Sequence, residues 1–177
     1  MENVFKKSNE NYSFAWENFG NIKEGRGELG EEMPILVYRL VMFTMYEILV
    51  RKSGEDFAKG CLRDGGYLAG SEFTHNELDT SLPPADFIHE LQRKLEIYKI
   101  GVLHMESIDN DENEIVLTVS QDLNCSGFPI TKETMRTYTE GFLEGAIETY
   151  TGKPYNVTGI NCWVSGVRMC RFTINPK

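Results

Sequence analysis

Two short segments share the pattern Gly–aromatic–Leu–x–Gly. They are Gly66-Tyr67-Leu68-Ala69-Gly70 and Gly141-Phe142-Leu143-Glu144-Gly145, and each lies in a stretch of helical apolar spacing. A glycine inside a helix costs up to about 1 kcal/mol relative to alanine, so two such pairs need a compensating reason. Without a Cβ, glycines one turn apart let another backbone approach closely, and they equally leave room for a ligand beside the chain. The segments are too short to establish an internal repeat.

The first half of the chain reads as helical. Met33 to Val50 is its most apolar run and is about as long as the shortest membrane spans. Arg39 and Glu47 interrupt it, and an ionised group at mid-bilayer costs roughly 3 kcal/mol or more, so a buried soluble helix is expected. Pro34 suits an early helical position. Leu36, Leu40, Phe43 and Leu49 form the expected core stripe. Tyr38, Met42 and Tyr46 run along an adjoining face; they read as core or, because Met and aromatic rings adapt to irregular apolar shapes, as the lining of a cavity. A second helix is expected over Glu55 to Phe73, with Cys61 as a buried apolar residue. Thr74 to Leu82 reads as a loop, with His75 solvated. Pro83-Pro84 opens a third helix to Tyr98 that buries Phe87, Leu91 and Leu95, turns His89 to water and sets Glu90 beside Lys94 as a surface pair.

Upstream, residues 1–12 read as a loose end, and Phe14, Trp16, Phe19 and Ile22 suit a short strand or docked arm. Gly25-Arg26-Gly27-Glu28-Leu29-Gly30 matches GxGxxG. A dinucleotide loop needs a buried strand before it and a βαβ unit around it, and Glu28, Glu31 and Glu32 put negative charge where a pyrophosphate would sit. A turn is the better reading.

The second half alternates. Ile100 to Glu106 and Glu114 to Gln121 read as strands, with His104 in the first. The acidic loop Asp109-Asn110-Asp111-Glu112 between them lacks the ligand register of a calcium site. A helix follows, with Thr131 as N-cap and Gly152 and Pro154 as its stop. Its buried stripe is Met135, Tyr138, Phe142, Ala146 and Tyr150, and Glu140, Glu144 and Glu148 read as a solvated acidic face. Val157 to Trp163 and Arg168 to Ile174 flank Ser165-Gly166 as a hairpin. A turn centred on Gly166 sets Cys162 opposite Cys170, as half of a metal site, a disulfide or two small buried hydrophobes, and a bulge would shift that pairing by one residue. Helices, a strand pair, a helix and a hairpin in that order give an α+β fold: an antiparallel sheet with helices packed on it.

Length and charge narrow the partners. The 177 residues suit one domain, and no Pro/Gly/Ser-rich linker divides them. A net charge of −9 without a Lys/Arg cluster argues against nucleic acid and anionic membranes. Four unevenly spaced cysteines do not make a secreted disulfide framework, and Met1 to Tyr12 lacks the apolar core of a signal peptide, so a cytoplasmic protein is expected.

Three motifs carry a family resemblance. Asp122-Leu123-Asn124-Cys125-Ser126-Gly127, Tyr138-x-Glu140-Gly141-Phe142 and Cys162-Trp163-x-x-Gly166-x-x-x-Cys170-Arg171-Phe172 resemble the 4-vinyl reductase domain family. Leu29-Gly30 through Tyr38-Arg39-Leu40 and the Gly66–Gly70 segment resemble the helical half of its stand-alone members, so the likeness covers about Phe14 to Ile174. It implies the α+β ligand-binding fold shared with heme–nitric oxide sensor domains and vesicle-tethering subunits of Golgi transport. It implies a homodimer and a module that binds or senses small aromatic, hydrocarbon or lipid-like molecules. Related phenol-sensing domains hold zinc with Cys-Glu-Cys-Cys. Carried over, the last two ligands are Cys162 and Cys170, while the first falls on Arg136 and the glutamate on Gly159. A structural zinc site wants four ligands, so the family's site is broken here; with Cys125 as a third thiolate zinc stays possible, but no cofactor is expected.

The expected function is therefore a binding or sensing domain with an apolar pocket between helices and sheet, lined by Tyr38, Met42, Tyr46, Tyr67, His104 and Trp163. The alternatives are a reductase or accessory protein acting on a vinyl tetrapyrrole, and a ligand-free dimeric adaptor. Reduction needs a hydride source, and the sequence shows no nicotinamide or flavin loop that would hold one.

Overall fold

The structure is a computed structural model, and the residues it describes are 13–109, 114–127, 136–161 and 169–177. They fall into two compact units, one ending at Glu32 and one running from Met33 to Lys177.

The first unit holds no strand among its described residues. Trp16–Phe19 form a 3-10 turn, and Gly20 leaves it at φ 65°. Phe14 and Trp16 meet Phe19 edge-on, with ring centres 5.4 and 5.1 Å apart. The Asn21 side chain then accepts from the Glu24 amide at 3.1 Å and caps helix α1, Ile22–Gly25. A cap three residues ahead of an acidic residue favours a helical turn over an extended arm. The glycine-rich segment after it is a turn, closed by the Arg26 guanidinium donating to the Gly30 carbonyl at 2.9 Å.

The second unit carries four helices and four strands among its described residues: α2 Ile35–Ser53, α3 Glu55–Glu77, α4 Pro84–Ile97, β1 Val102–Asp109, β2 Glu114–Ser120, α5 Arg136–Thr151, β3 Tyr155–Asn161 and β4 Met169–Pro176. The strands form one antiparallel sheet in the order β1-β2-β4-β3. This is the α+β architecture expected from the sequence. β2 lies inside the sheet with Val116, Leu117, Thr118 and Val119 all buried. β4 alternates instead: Cys170, Phe172 and Ile174 point inward, while Arg171 on the other face makes a two-pronged ion pair with Glu106 of β1 at 2.6 and 2.8 Å. The β3–β4 register shifts between Gly159 and Asn161, after which Asn161 faces Arg171. Cys162 and Trp163 lie outside the described residues.

Helices α4 and α5 pack on the sheet, α3 packs on α5, and α2 packs on α3. The α3–α5 crossing explains the glycine pairs. A methyl group on Gly66 or Gly70 would run into the Tyr138 or Phe142 carbonyl, and one on Gly141 or Gly145 into the Arg63 or Tyr67 carbonyl. The four glycines face one another across the crossing, so they serve backbone approach between helices. Phe87, Leu91 and Leu95 of α4 are buried as expected, with Leu103, Leu117, Leu143, Val157, Phe172 and Ile174 completing the core.

Several expectations need correction. Leu36 and Leu40 of α2 are exposed at 75% and 62%, and no residue of that helix is buried. α2 is apolar on more than one side, and only one side meets α3. α3 runs one turn past Phe73, taking Thr74 into the core. Lys94 reaches Glu77 at 2.6 Å instead of Glu90, and the Glu90 carboxylate accepts from the Asp79 amide at 2.8 Å. Glu140 and Glu144 are buried, not solvated. The Arg63 guanidinium donates to both carboxylates and to the Val157 carbonyl, and the Lys177 ammonium reaches Glu144 at 2.7 Å.

Candidate functional site

At one end of the sheet, α2, α4, α5 and the turn after β2 border a partly open cavity of about 180 Å³. Leu95 and Ile100 wall it at the end of α4, Val119 at the end of β2, Tyr138, Phe142 and Leu143 along α5, and Leu123 from the turn. Tyr38, Asp122, Asn124 and Thr139 complete the lining, and with Tyr138 they are its side chains with hydrogen-bonding heads.

The turn that brings those heads together is built locally. Gln121 leaves β2 at φ 55°, in the left-handed region that side-chain-bearing residues rarely occupy. The Asp122 carboxylate then accepts from the amides of Asn124 at 2.6 Å and Cys125 at 3.0 Å, and its carbonyl accepts from the Ser126 amide at 2.9 Å. Short Asp side chains close turns in this way. The first turn of α2 fixes the outside. The Arg39 guanidinium donates to the Leu123 carbonyl at 3.2 Å and the Ser126 carbonyl at 2.6 Å. Tyr38 donates its hydroxyl to Asn124 Oδ1 at 2.6 Å.

One hydrogen-bond chain joins the polar heads. Tyr38 donates to Asn124, Asn124 Nδ2 donates to Thr139 Oγ1 at 3.1 Å, and Thr139 donates to Asp122 Oδ2 at 3.0 Å. Burial pushes the Asp122 carboxyl up from its ordinary value, while the Thr139, Asn124 and Cys125 donors pull against that rise. Burial, with Tyr138 and Asp122 nearby, also pushes the Tyr38 phenol up, so it stays a protonated donor at neutral pH. The result is an apolar pocket with one polar end, a usual form for a small-molecule site.

Of the lining residues expected from sequence, Tyr38 borders this cavity. Met42 and Tyr46 lie further along α2, half-buried, and the Tyr46 hydroxyl is enclosed with no hydrogen-bond partner among the described residues. Tyr67 of α3 is not in the lining and donates to the Glu148 carboxylate at 2.8 Å. His104 is on an exposed face of β1. Trp163 is outside the described residues. Asp122, Asn124 and Thr139 are lining residues that the sequence reading does not include. Their signal was present in the Asp122–Gly127 motif and in the place of Thr139 beside Tyr138.

A second constellation lies behind the turn. Cys125 Sγ and Cys170 Sγ are 2.7 Å apart, and both residues are buried. Cys170 faces Val119 across the β2–β4 ladder, so the thiol pair adjoins the cavity wall. Arg136 opens α5 and Gly159 lies in β3; neither type can ligate zinc through its side chain. Two thiolates on one tetrahedral zinc sit about 3.8 Å apart, from Zn–S bonds of about 2.3 Å, so these sulfurs would have to separate by about 1 Å. Among the described residues no cluster of three His, Cys, Asp or Glu is placed to hold a metal ion.

No family model matches the chain. Its sequence is similar to that of an uncharacterized protein of Methanocaldococcus jannaschii, 26% identical over 147 residues, covering 83% of this chain and 80% of that one. In fold it is similar to the phenol-responsive sensory domain of the transcription activator PoxR, solved with phenol, at a TM-score of 0.63 and 13% identity over 82% of this chain and 77% of that one. It is similar to a vinyl-4-reductase family protein from M. jannaschii at a TM-score of 0.54 and 15% identity, covering 85% of each chain. A trafficking protein particle complex subunit 3 from Naegleria fowleri, covalently bound to palmitic acid, aligns at a TM-score of 0.58 and 15% identity over 81% of this chain and 97% of that one. At these identities the likeness is one of fold. Among the described residues no helix is long and apolar enough to cross a membrane.

Proposed function

We propose that this chain is a small-molecule-binding or sensing domain whose ligand, aromatic, hydrocarbon or lipid-like, occupies the cavity between α2, α4, α5 and the sheet. The observation that carries the reading is the cavity itself: apolar walls closed at one end by a connected set of polar heads. The fold supports it, since domains of this shape have been solved with phenol and with palmitic acid. The test is the melting temperature of the purified chain with a panel of small aromatic and aliphatic compounds. Binding to the folded state alone raises it, by about 2.7 kcal/mol of stability at a hundredfold excess over Kd. A panel without any shift at saturating concentration counts against the reading.

Two further features belong to the same proposal. The chain works in the cytoplasm as a homodimer joined through α2, a reading supported by its exposed Leu36, Leu40, Val41 and Met45. Cys125 and Cys170, with Cys162 as a third thiolate, are the candidate zinc ligands; a structural site takes four, so the chain is expected to work without a resident cofactor. Native intact mass compared with denatured mass tests both: twice the chain mass without added metal is expected, and one zinc per chain would revive the family's site. A bare monomer mass rejects the dimer.

A further inference from the structure

The polar end of the cavity has a direction, and the direction follows from counting protons. Asp122 Oδ1 takes the amides of Asn124 and Cys125 at 2.6 and 3.0 Å. Thr139 has one hydroxyl proton and directs it at Asp122 Oδ2. Its oxygen must then accept from Asn124, which places Nδ2 of that amide toward Thr139 and Oδ1 toward Tyr38. Tyr38 in turn has one proton and directs it at Asn124 Oδ1. Every proton in the chain therefore points toward the carboxylate. Among these four heads, one N–H of Asn124 is left to donate into the cavity, against several acceptor lone pairs on Tyr38, Thr139 and Asp122; Tyr138, which also lines the cavity, stands outside this chain.

We infer that Asp122 is the specificity-determining residue of this cavity: it admits neutral ligands that bring a hydrogen-bond donor and turns carboxylates away. The inference rests on the cavity being the binding site. A carboxylate brings acceptors only, while the lone pairs of Asp122, Thr139 and Tyr38 ask for donors, so it meets acceptor against acceptor at this end of the cavity. A hydroxyl or primary amide brings a donor for the lone pairs and an acceptor for the Asn124 N–H. Size sets the other limit. A cavity of about 150 Å³ holds benzene, so about 180 Å³ accepts one ring with a small substituent.

The test is calorimetric titration of the full chain at pH 7 with toluene, benzamide and benzoate. Benzamide and benzoate share a shape and differ in charge and in donors. Benzamide is expected to bind at least about thirtyfold more tightly than benzoate, with toluene between them. Equal binding of benzamide and benzoate, with toluene also bound, overturns the inference and leaves the binding site standing. Failure of all three removes the binding-site reading and this inference with it. In Asp122→Asn, the preference is expected to shrink to within a few-fold. A folded variant that keeps the full preference shows that Asp122 is not its source. Should that variant not fold, the comparison on the unaltered chain decides alone.

Discussion

Helices α2 and α5 reverse what their compositions suggest. α2 is the more apolar, yet none of its residues is buried. α5 carries Glu140, Glu144 and Glu148, yet Glu140 to Ile147 are buried without a break. The difference lies in what each helix can approach. Gly141 and Gly145 let α5 close onto α3 at backbone distance, and Arg63 of α3 neutralises the carboxylates drawn in with it. α2 has no glycine along its length and rests on α3 through side chains. Apolar content supplies a drive to leave water, but depth of burial depends on how closely a partner backbone can come.

The largest expected effect tests the crossing directly. Gly66→Ala or Gly141→Ala should lower stability by about 3 kcal/mol, because the added methyl meets backbone carbonyls that cannot move aside. Gly60→Ala lies on the same α3, where the new Cβ has nothing within 4 Å, and should raise stability by about 0.5–1 kcal/mol. Denaturation midpoints of the three variants decide it; a gain in all of them would mean that α3 and α5 do not cross at their glycines.

The next effect sharpens the contrast in charge. Arg63→Met removes the guanidinium from two buried carboxylates and should lower stability by about 2–3 kcal/mol, at the low end for a buried pair because Lys177 still reaches Glu144. Arg51→Met breaks the Glu47–Arg51 pair on α2, whose side chains are 56% and 71% exposed, and should change stability by less than about 0.5 kcal/mol. Urea titrations of the two variants, side by side, measure the difference.

The smallest effect is one of pH. Burial alone would raise the Glu148 carboxyl, but the Tyr155 amide, the Tyr67 hydroxyl and Lys177 hold it below its ordinary 4.5. A depressed carboxyl binds its proton less tightly folded than unfolded. Its stabilisation is therefore complete above pH 4.5 and is lost as pH falls through the lower folded value. Thermal unfolding followed from pH 6 to pH 3 should lose less stability in Glu148→Gln than in the unaltered chain, by up to about 1 kcal/mol. Equal losses would place the acid sensitivity elsewhere.

The elements were legible because their signals are local. Phe87, Leu91 and Leu95 recur at helical spacing within one helix, and the strand pair and hairpin announce themselves by β-prone runs around turns. The glycine pairs pointed to close packing before any partner was known. What escaped was the identity of partners. Arg63 stands 77 residues from Glu140, so no local pattern shows that the acidic stripe is neutralised. The cavity escaped for the same reason. Its polar end joins Tyr38 of α2 to Asn124, which is 86 residues away, and a buried aspartate reads in sequence as an ordinary turn residue. Met42 and Tyr46 share the α2 stripe with Tyr38 but lie outside the cavity lining, and Tyr67 belongs to α3.

The glycine crossing also fixes length. In an α-helix each residue turns the chain by about 100°. A single residue inserted between Gly66 and Gly70 would swing one glycine of the pair off the face that meets α5 and bring a side chain into its place. The same holds between Gly141 and Gly145. The chain can therefore vary its loops and the exposed side of α2 widely. The spacing of those two pentapeptides acts as a ruler, and a deletion or insertion there would be felt in the cavity, because Phe142 lies inside the second pentapeptide and Tyr138 one turn before it.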